Sequence, residues 1–209
     1  MKSLIFRGIV ILFAVLLSAC DNQPQSHLPL TTLSTEYGDI TIELDIKNAP
    51  ISAGNFLAYV QGGHFKTLAF YRTVSHQNDN HDLKIAVLQG GLDIAFNDII
   101  EPEFPPIAHE STAQTGLLHK RGAVSFARSD LGTAQTEFFI STQDNTHLDA
   151  GGLRHPDKQG FAVFGRVVKG MDVVDTIAGL SSDLPHADPY VQGQVLDRPV
   201  MISDVRLVN

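Results

Sequence analysis

Asp39-Ile40-Thr41-Ile42-Glu43-Leu44-Asp45-Ile46-Lys47 alternates strictly, with Ile40, Ile42, Leu44 and Ile46 on one face and Asp39, Thr41, Glu43 and Asp45 on the other. A period of two is that of a half-buried antiparallel strand. Tyr37-Gly38-Asp39 supplies a tight turn before it. After it, Asn48-Ala49-Pro50 opens a helix, with Asn48 the expected cap and Pro50 suited to the first turn. Ala53, Phe56, Leu57 and Val60 then form one apolar stripe, which Gly62-Gly63 ends. Folding signals begin at Thr31, and further short strands are expected at Ala69–Val74, Ile85–Leu88, Ala123–Arg128, Phe138–Ser141, Phe161–Val168 and Val200–Val208. A second helix is expected over Met171–Ala178, where Val173, Val174 and Ile177 recur helically. Many short strands, two helices and Gly/Pro-rich loops predict a mainly β fold, an antiparallel barrel closed on itself and capped by helices.

The chain is 209 residues long, 43% hydrophobic and 18% charged, which suits one globular domain with a substantial core. Its first nineteen residues differ from the rest. Lys2 and Arg7 precede an apolar run from Ile9 to Leu17, too short for a comfortable membrane span, and small residues follow it. Leu17-Ser18-Ala19-Cys20 looks like a bacterial lipoprotein signal, and Cys20 is the single cysteine of the chain. A lone cysteine at that junction serves no disulfide but suits acylation. Residues 1–19 are therefore expected to be a signal peptide, residues 20–32 a lipidated cysteine and flexible tether, and residues 33–209 the folded domain. The expected location is the bacterial cell envelope, facing the periplasm and held to a membrane by lipid. Without Lys2 and Arg7 the formal charge falls from −8 to −10. Such a surface repels phosphate backbones, so nucleic acid is excluded as a partner. Nothing demands a partner chain, and a monomer is expected.

Three fragments carry the chemistry: Phe70-Tyr71-Arg72, Gln89-Gly90-Gly91 and Phe138-Phe139-Ile140. They offer a fixed cation, a polar amide and a pair of aromatic rings, with no nucleophile beside them. That set suits a reaction in which a bond is rotated rather than broken. His76 and His81 with Asp79 have no specific metal-ligand spacing and the other histidines are scattered, so neither a metal nor any other cofactor is expected.

In this order the fragments resemble the signature of the cyclophilin family of peptidyl-prolyl isomerases. Ala49-Pro50 with Asn55-Phe56, Gly122-Ala123-Val124-Ser125-Phe126-Ala127-Arg128, and Ala162-Val163-Phe164-Gly165 with Gly170-Met171 are similar to further strings of that family. The resemblance covers almost all of residues 33–208 and implies an eight-stranded barrel that turns Xaa-Pro bonds in unfolded or exposed polypeptides. It implies that Arg72 and Gln89 are catalytic, and that Phe139 is the floor of a proline pocket walled by Val87, Ala127 and Leu148. Arg128, Glu137, His147 and Phe161 fall at further substrate-binding positions, while Phe70 and Phe138 read as core support.

Four positions depart from the better-known pattern. Ala86 replaces an aromatic and leaves one side of the pocket open; Glu137 replaces a glutamine and would blunt the field of Arg72 if it pointed there. His147 stands at a tryptophan position, and Phe161 replaces a histidine. Ser75–Ile85 is a polar insertion where a tight link is usual, read here as a tolerated surface loop, with overhang of the groove as the alternative. Ser181–Pro199 reads as a long surface loop. The expected function is prolyl isomerisation that assists folding outside the cytoplasm. The alternative is a clasp for proline-containing segments with little turnover.

Overall fold

In the computed structural model, residues 28–65, 67–92 and 101–208 are described. The expected signal peptide, Cys20 and most of the tether lie outside them. Eight strands, β1 (Leu30–Thr35), β2 (Gly38–Leu44), β3 (Leu68–Val74), β4 (Val87–Leu92), β5 (Ala123–Phe126), β6 (Phe138–Ser141), β7 (Ala162–Lys169) and β8 (Val195–Val208), close into an antiparallel barrel. Around the barrel their order is β1-β2-β7-β5-β6-β4-β3-β8. Closure leaves no open sheet edge, which removes the pairing hazard of unpaired strands.

The alternation of β2 is real but ends early. Ile40, Ile42 and Leu44 are fully buried, whereas Ile46 is 39% exposed. Asp45 ends the strand: its carboxylate accepts from both the backbone and the side-chain amide of Asn48, and its carbonyl accepts from Ala49. Asn48 therefore holds the turn and does not cap helix α1 (Pro50–Gly62). The carboxylate of Glu110 takes the orphan amides of Ile51 and Ser52 at 3.1 and 2.7 Å instead. A residue about sixty positions away satisfies the helix terminus. Gly63, at φ 64°, closes the other end in the left-handed conformation.

Strand β1 escaped the hydrophobic pattern because it buries threonines. The Thr31 hydroxyl donates to the Arg206 carbonyl and the Thr32 hydroxyl meets that of Thr41, so both sit inside without orphaned polar atoms. Strand β4 begins two residues later than its apolar run, because the Ile85 and Ala86 amides donate to the side chains of Asp79 and Asn145. Strand β8 starts earlier, at Val195, where it pairs with Arg72.

The barrel interior is dominated by rings. Phe56 of α1 stacks on Phe164 at 5.1 Å and meets Phe138 edge-on at 5.7 Å, and Phe126 lies 4.5 Å from Phe164. Helix α3 (Met171–Ala178) adds Val174 and Ile177 to the same core. The two expected caps are thus present. A third helix, α2 (Thr112–Thr115), is a single turn with Ser111 and Gln114 forming a capping box.

Candidate functional site

Strand parity decides which side chains leave the core. In β6, Phe138 and Ile140 point inward, so Phe139 points out; in β4, Leu88 points in, so Val87 and Gln89 point out. Gln89 pairs with Phe139 across these strands. Strict alternation would send Arg72 inward with Leu68 and Phe70. The register of β3 slips between Phe70 and Arg72 against both β4 and β8, and this bulge turns Arg72 outward opposite Gln89. Gly90 is needed beside the bulge, because a Cβ there would strike the Ala69 carbonyl and the Phe70 ring.

The outward residues line one groove of about 300 Å³. Its apolar part is a small cluster separate from the barrel core: Val74, Ile85, Val87, Phe139 and Leu148, with Ala127 and Phe161 packed on it. The Phe161 ring meets Phe139 edge-on at 5.6 Å. Beneath Phe139 the His119 ring is stacked at 5.8 Å, with Asp149 on Nδ1 at 2.7 Å and Ser125 on Nε2 at 2.9 Å. Burial, only partly opposed by Asp149, holds the His119 pKa below the ordinary histidine range. The buried ring, supported on both nitrogens, fixes the plane on which Phe139 lies.

At the polar end, Arg72 is gripped from two directions. Nε and Nη2 donate to Oε1 of Gln194 at 3.1 and 2.6 Å, and Nη1 donates to Oε1 of Gln89 at 3.1 Å. Tyr190 lies over the guanidinium, 5.5 Å from ring centroid to Cζ. Gln89 is oriented in turn, since its Nε2 donates to the Tyr71 hydroxyl at 2.8 Å, and that hydroxyl donates to Glu137. Burial and the Glu137 carboxylate push the Tyr71 phenol well above its usual pKa, so it stays a donor at neutral pH. The Gln89 contact on Nη1 comes from an uncharged amide, so it leaves the field of the cation intact. Gly91 makes space for the Glu137 carboxylate, which a Cβ at that position would displace.

Of the residues expected from sequence, Arg72, Val87, Gln89, Ala127, Arg128, Phe139, Leu148 and Phe161 share this groove. Arg128 is on its wall with its donors turned away, toward Asp157 at 2.8 and 3.0 Å and the Gly160 carbonyl at 2.9 and 2.6 Å. The guanidinium lies 5.2 Å over Phe161 and fixes that ring. Glu137 lines an adjoining groove of about 380 Å³, which shares Gln89, Ala127 and Arg128 with the first. His147 is not brought in: it is exposed on the 3-10 turn Thr146–Leu148, whose next residue, Leu148, faces the pocket. Ala86 is also off the lining, its backbone held on both sides by the Asn145 amide.

Sequence reasoning missed Val74, Ile85, Arg154, His155 and Tyr190 on the lining. Val74 and Ile85 bracket the insertion, so the side expected to be open carries apolar residues. The insertion is more than a surface loop. Asp79 within it is 3% exposed and pairs with Arg154, which also leaves it unavailable to any metal with His76 and His81.

The family model of the cyclophilin type peptidyl-prolyl cis-trans isomerase/CLD matches residues 30–205. The chain belongs to the cyclophilin family. Cyclophilins of known name agree: the peptidyl-prolyl cis-trans isomerase A of Dickeya dadantii (strain 3937) is 33% identical over 180 residues, 85% of this chain and 83% of its own length. The cyp18 isomerase of Streptomyces antibioticus is 34% identical over 180 residues, 85% of this chain and 97% of its own. Among solved structures, a cyclophilin type isomerase from Cryptosporidium parvum superposes with a TM-score of 0.61 at 18% identity, covering 87% of this chain and 98% of its own, a likeness of fold. As a cyclophilin, this chain is a peptidyl-prolyl cis-trans isomerase.

Proposed function

We propose that the groove binds an Xaa-Pro segment with the proline ring on Phe139, between Val87, Ala127 and Leu148, and that Arg72 stabilises the twisted amide. Planarity of that bond is worth a rotation barrier of roughly 18–20 kcal/mol. When it twists, resonance is lost and the nitrogen becomes a basic, pyramidal acceptor. The observation that carries the reading is the hold on Arg72. Nε and one hydrogen on each terminal nitrogen are engaged by Gln194 and Gln89, so the fork keeps one N–H on each terminal nitrogen for a ligand. This fixed cation stands at the rim of an apolar cluster, where water is displaced and its field is least screened. Gln89 orients the fork and meets the substrate backbone; Arg128 and Phe161 shape the wall.

A charge-assisted hydrogen bond of about 1.5–3 kcal/mol corresponds to a factor of roughly 10–100 in rate. Prolyl exchange on a short Ala-Pro peptide, measured by NMR, should fall by that factor in Arg72→Ala while the fold is kept. An unchanged rate would make the barrel a clasp rather than a catalyst.

The proposed setting is the bacterial envelope, with Cys20 lipidated, the domain facing the periplasm as a monomer, and unfolded or exposed proline-containing polypeptides as clients. The reading rests on the signal-like residues 1–19 and the lone cysteine. Cys20→Ser should move the protein from the membrane to the soluble fraction of lysed cells; continued sedimentation with membranes would overturn the anchor.

A further inference from the structure

Gln194 lies in the stretch between α3 and β8 that the sequence marks only as a surface loop, yet it is 1% exposed. Its Oε1 takes two hydrogens from the same edge of Arg72. The amide is fixed in that sense, because its Nε2 donates to the Asn78 carbonyl at 2.9 Å. Asn78 belongs to the insertion after β3 and donates to the carbonyls of Gly193 at 2.8 Å and Thr73 at 3.2 Å. The backbone closes the same circuit, with Thr73 N–H donating to the Gln194 carbonyl at 2.8 Å. Two segments without regular structure are thus joined behind the guanidinium.

We propose that Gln194, held by Asn78, is a positioning residue for Arg72. The inference rests on the reading of Arg72 as the group that meets the twisted amide. The chemistry explains why an amide stands here. A carboxylate in the same place would chelate the fork equally well and neutralise the charge that the reaction needs; a neutral carbonyl fixes direction and leaves the field intact. It also explains the insertion, which supplies the acceptor that orients the amide.

The test is a double-mutant cycle read by prolyl exchange on an Ala-Pro peptide, with Gln194→Met placed in the native and the Arg72→Ala backgrounds. Methionine keeps the buried volume and removes both polar contacts, and thermal melting reports the folded fraction. The expected result is a loss in kcat of about tenfold in the native background, as for a reacting group displaced by a fraction of an ångström, with KM little changed. In the Arg72→Ala background the substitution should cause no further loss. If Arg72→Ala slows exchange while Gln194→Met leaves kcat unchanged, the positioning role is overturned and the role of Arg72 stands. An equal loss in both backgrounds makes Gln194 merely structural and also overturns it. If Arg72→Ala itself runs at the native rate, the catalytic reading falls, and this inference falls with it.

Discussion

Arg154 closes on Asp79 through two parallel contacts, Nη1 to Oδ2 at 2.7 Å and Nη2 to Oδ1 at 3.0 Å, with side chains only 6% and 1% exposed. The pair ties the insertion after β3 to the segment that follows Leu148. Asp79 also accepts from the amides of Ile85 at 2.9 Å and His81 at 3.1 Å, which presents Ile85 to the apolar cluster of the groove. Burial alone would raise the Asp79 carboxyl, but Arg154 and the two amides outweigh it and hold the pKa below the usual range.

Asp79→Ala would leave the Arg154 guanidinium buried without its counter-charge, a change that costs about 3–5 kcal/mol. At roughly 2–4 °C per kcal/mol for a domain of this size, Tm should fall by on the order of 10 °C. The double variant Asp79→Leu/Arg154→Met should recover most of that loss, because no buried charge remains. Thermal melts of the three proteins check it; a double variant as unstable as the single one would show that the pair is not the cause.

Glu137→Gln should preserve or raise turnover. Sequence alone left open whether Glu137 pairs with Arg72; in the folded chain Nη1 of Arg72 donates to Gln89, and the Glu137 carboxylate accepts from the Tyr71 hydroxyl. A glutamine carbonyl accepts the same phenolic hydrogen. Glu137→Leu should instead orphan the Tyr71 hydroxyl and cost about 1–3 kcal/mol in stability. A loss of exchange rate beyond about tenfold in Glu137→Gln would show that the negative charge itself is needed.

Tyr71 predicts alkaline behaviour. Its pKa is raised first by burial and then by Glu137, so above about pH 10 the unfolded chain releases a proton that the folded chain retains. The contribution to stability is complete below that pH and declines as pH rises further. Urea melts should show Tyr71→Phe with a shallower alkaline decline than the native protein; identical slopes would refute the assignment.

His119 works at the opposite end. Its pKa is lowered, chiefly by burial, so below about pH 6.5 the unfolded chain takes up a proton before the folded one does. Stability should therefore decline on acidification through that range, and His119→Gln should lack this component. Because the imidazole is stacked on Phe139, peptide affinity should hold through that interval and weaken only at lower pH, where the folded protein's own His119 takes up a proton. An NMR titration showing His119 protonating at an ordinary histidine pH would contradict it.

Much of the barrel was legible along the chain, and the reason is local. Alternation over 39–44, the helical stripe from Ala53 to Val60, and the Phe138-Phe139 pair each report which way neighbouring side chains face. Most of the groove followed from these strings. What stayed hidden was set by contacts distant in the chain. Glu110 caps α1 across about sixty residues, the threonines of β1 are satisfied by β2 and β8, and His147 is turned outward by a 3-10 turn that composition does not announce.

The amino-acid order by itself determined an all-antiparallel scaffold, its aromatic filling and the identity of Arg72 as the cation beside polar and apolar groove residues. The direction of that cation was decided only by folding. Parity along β3 would have buried Arg72, and it faces the groove because the register shifts between Phe70 and Arg72 against two neighbours, β4 and β8, remote from each other in sequence. Its aim then depends on Gln194, 122 residues away, which reaches it only once the barrel has closed and the two irregular segments have met. Periodicity is a property of adjacent residues, whereas a bulge and a chelating amide are properties of pairs that the closed sheet brings together.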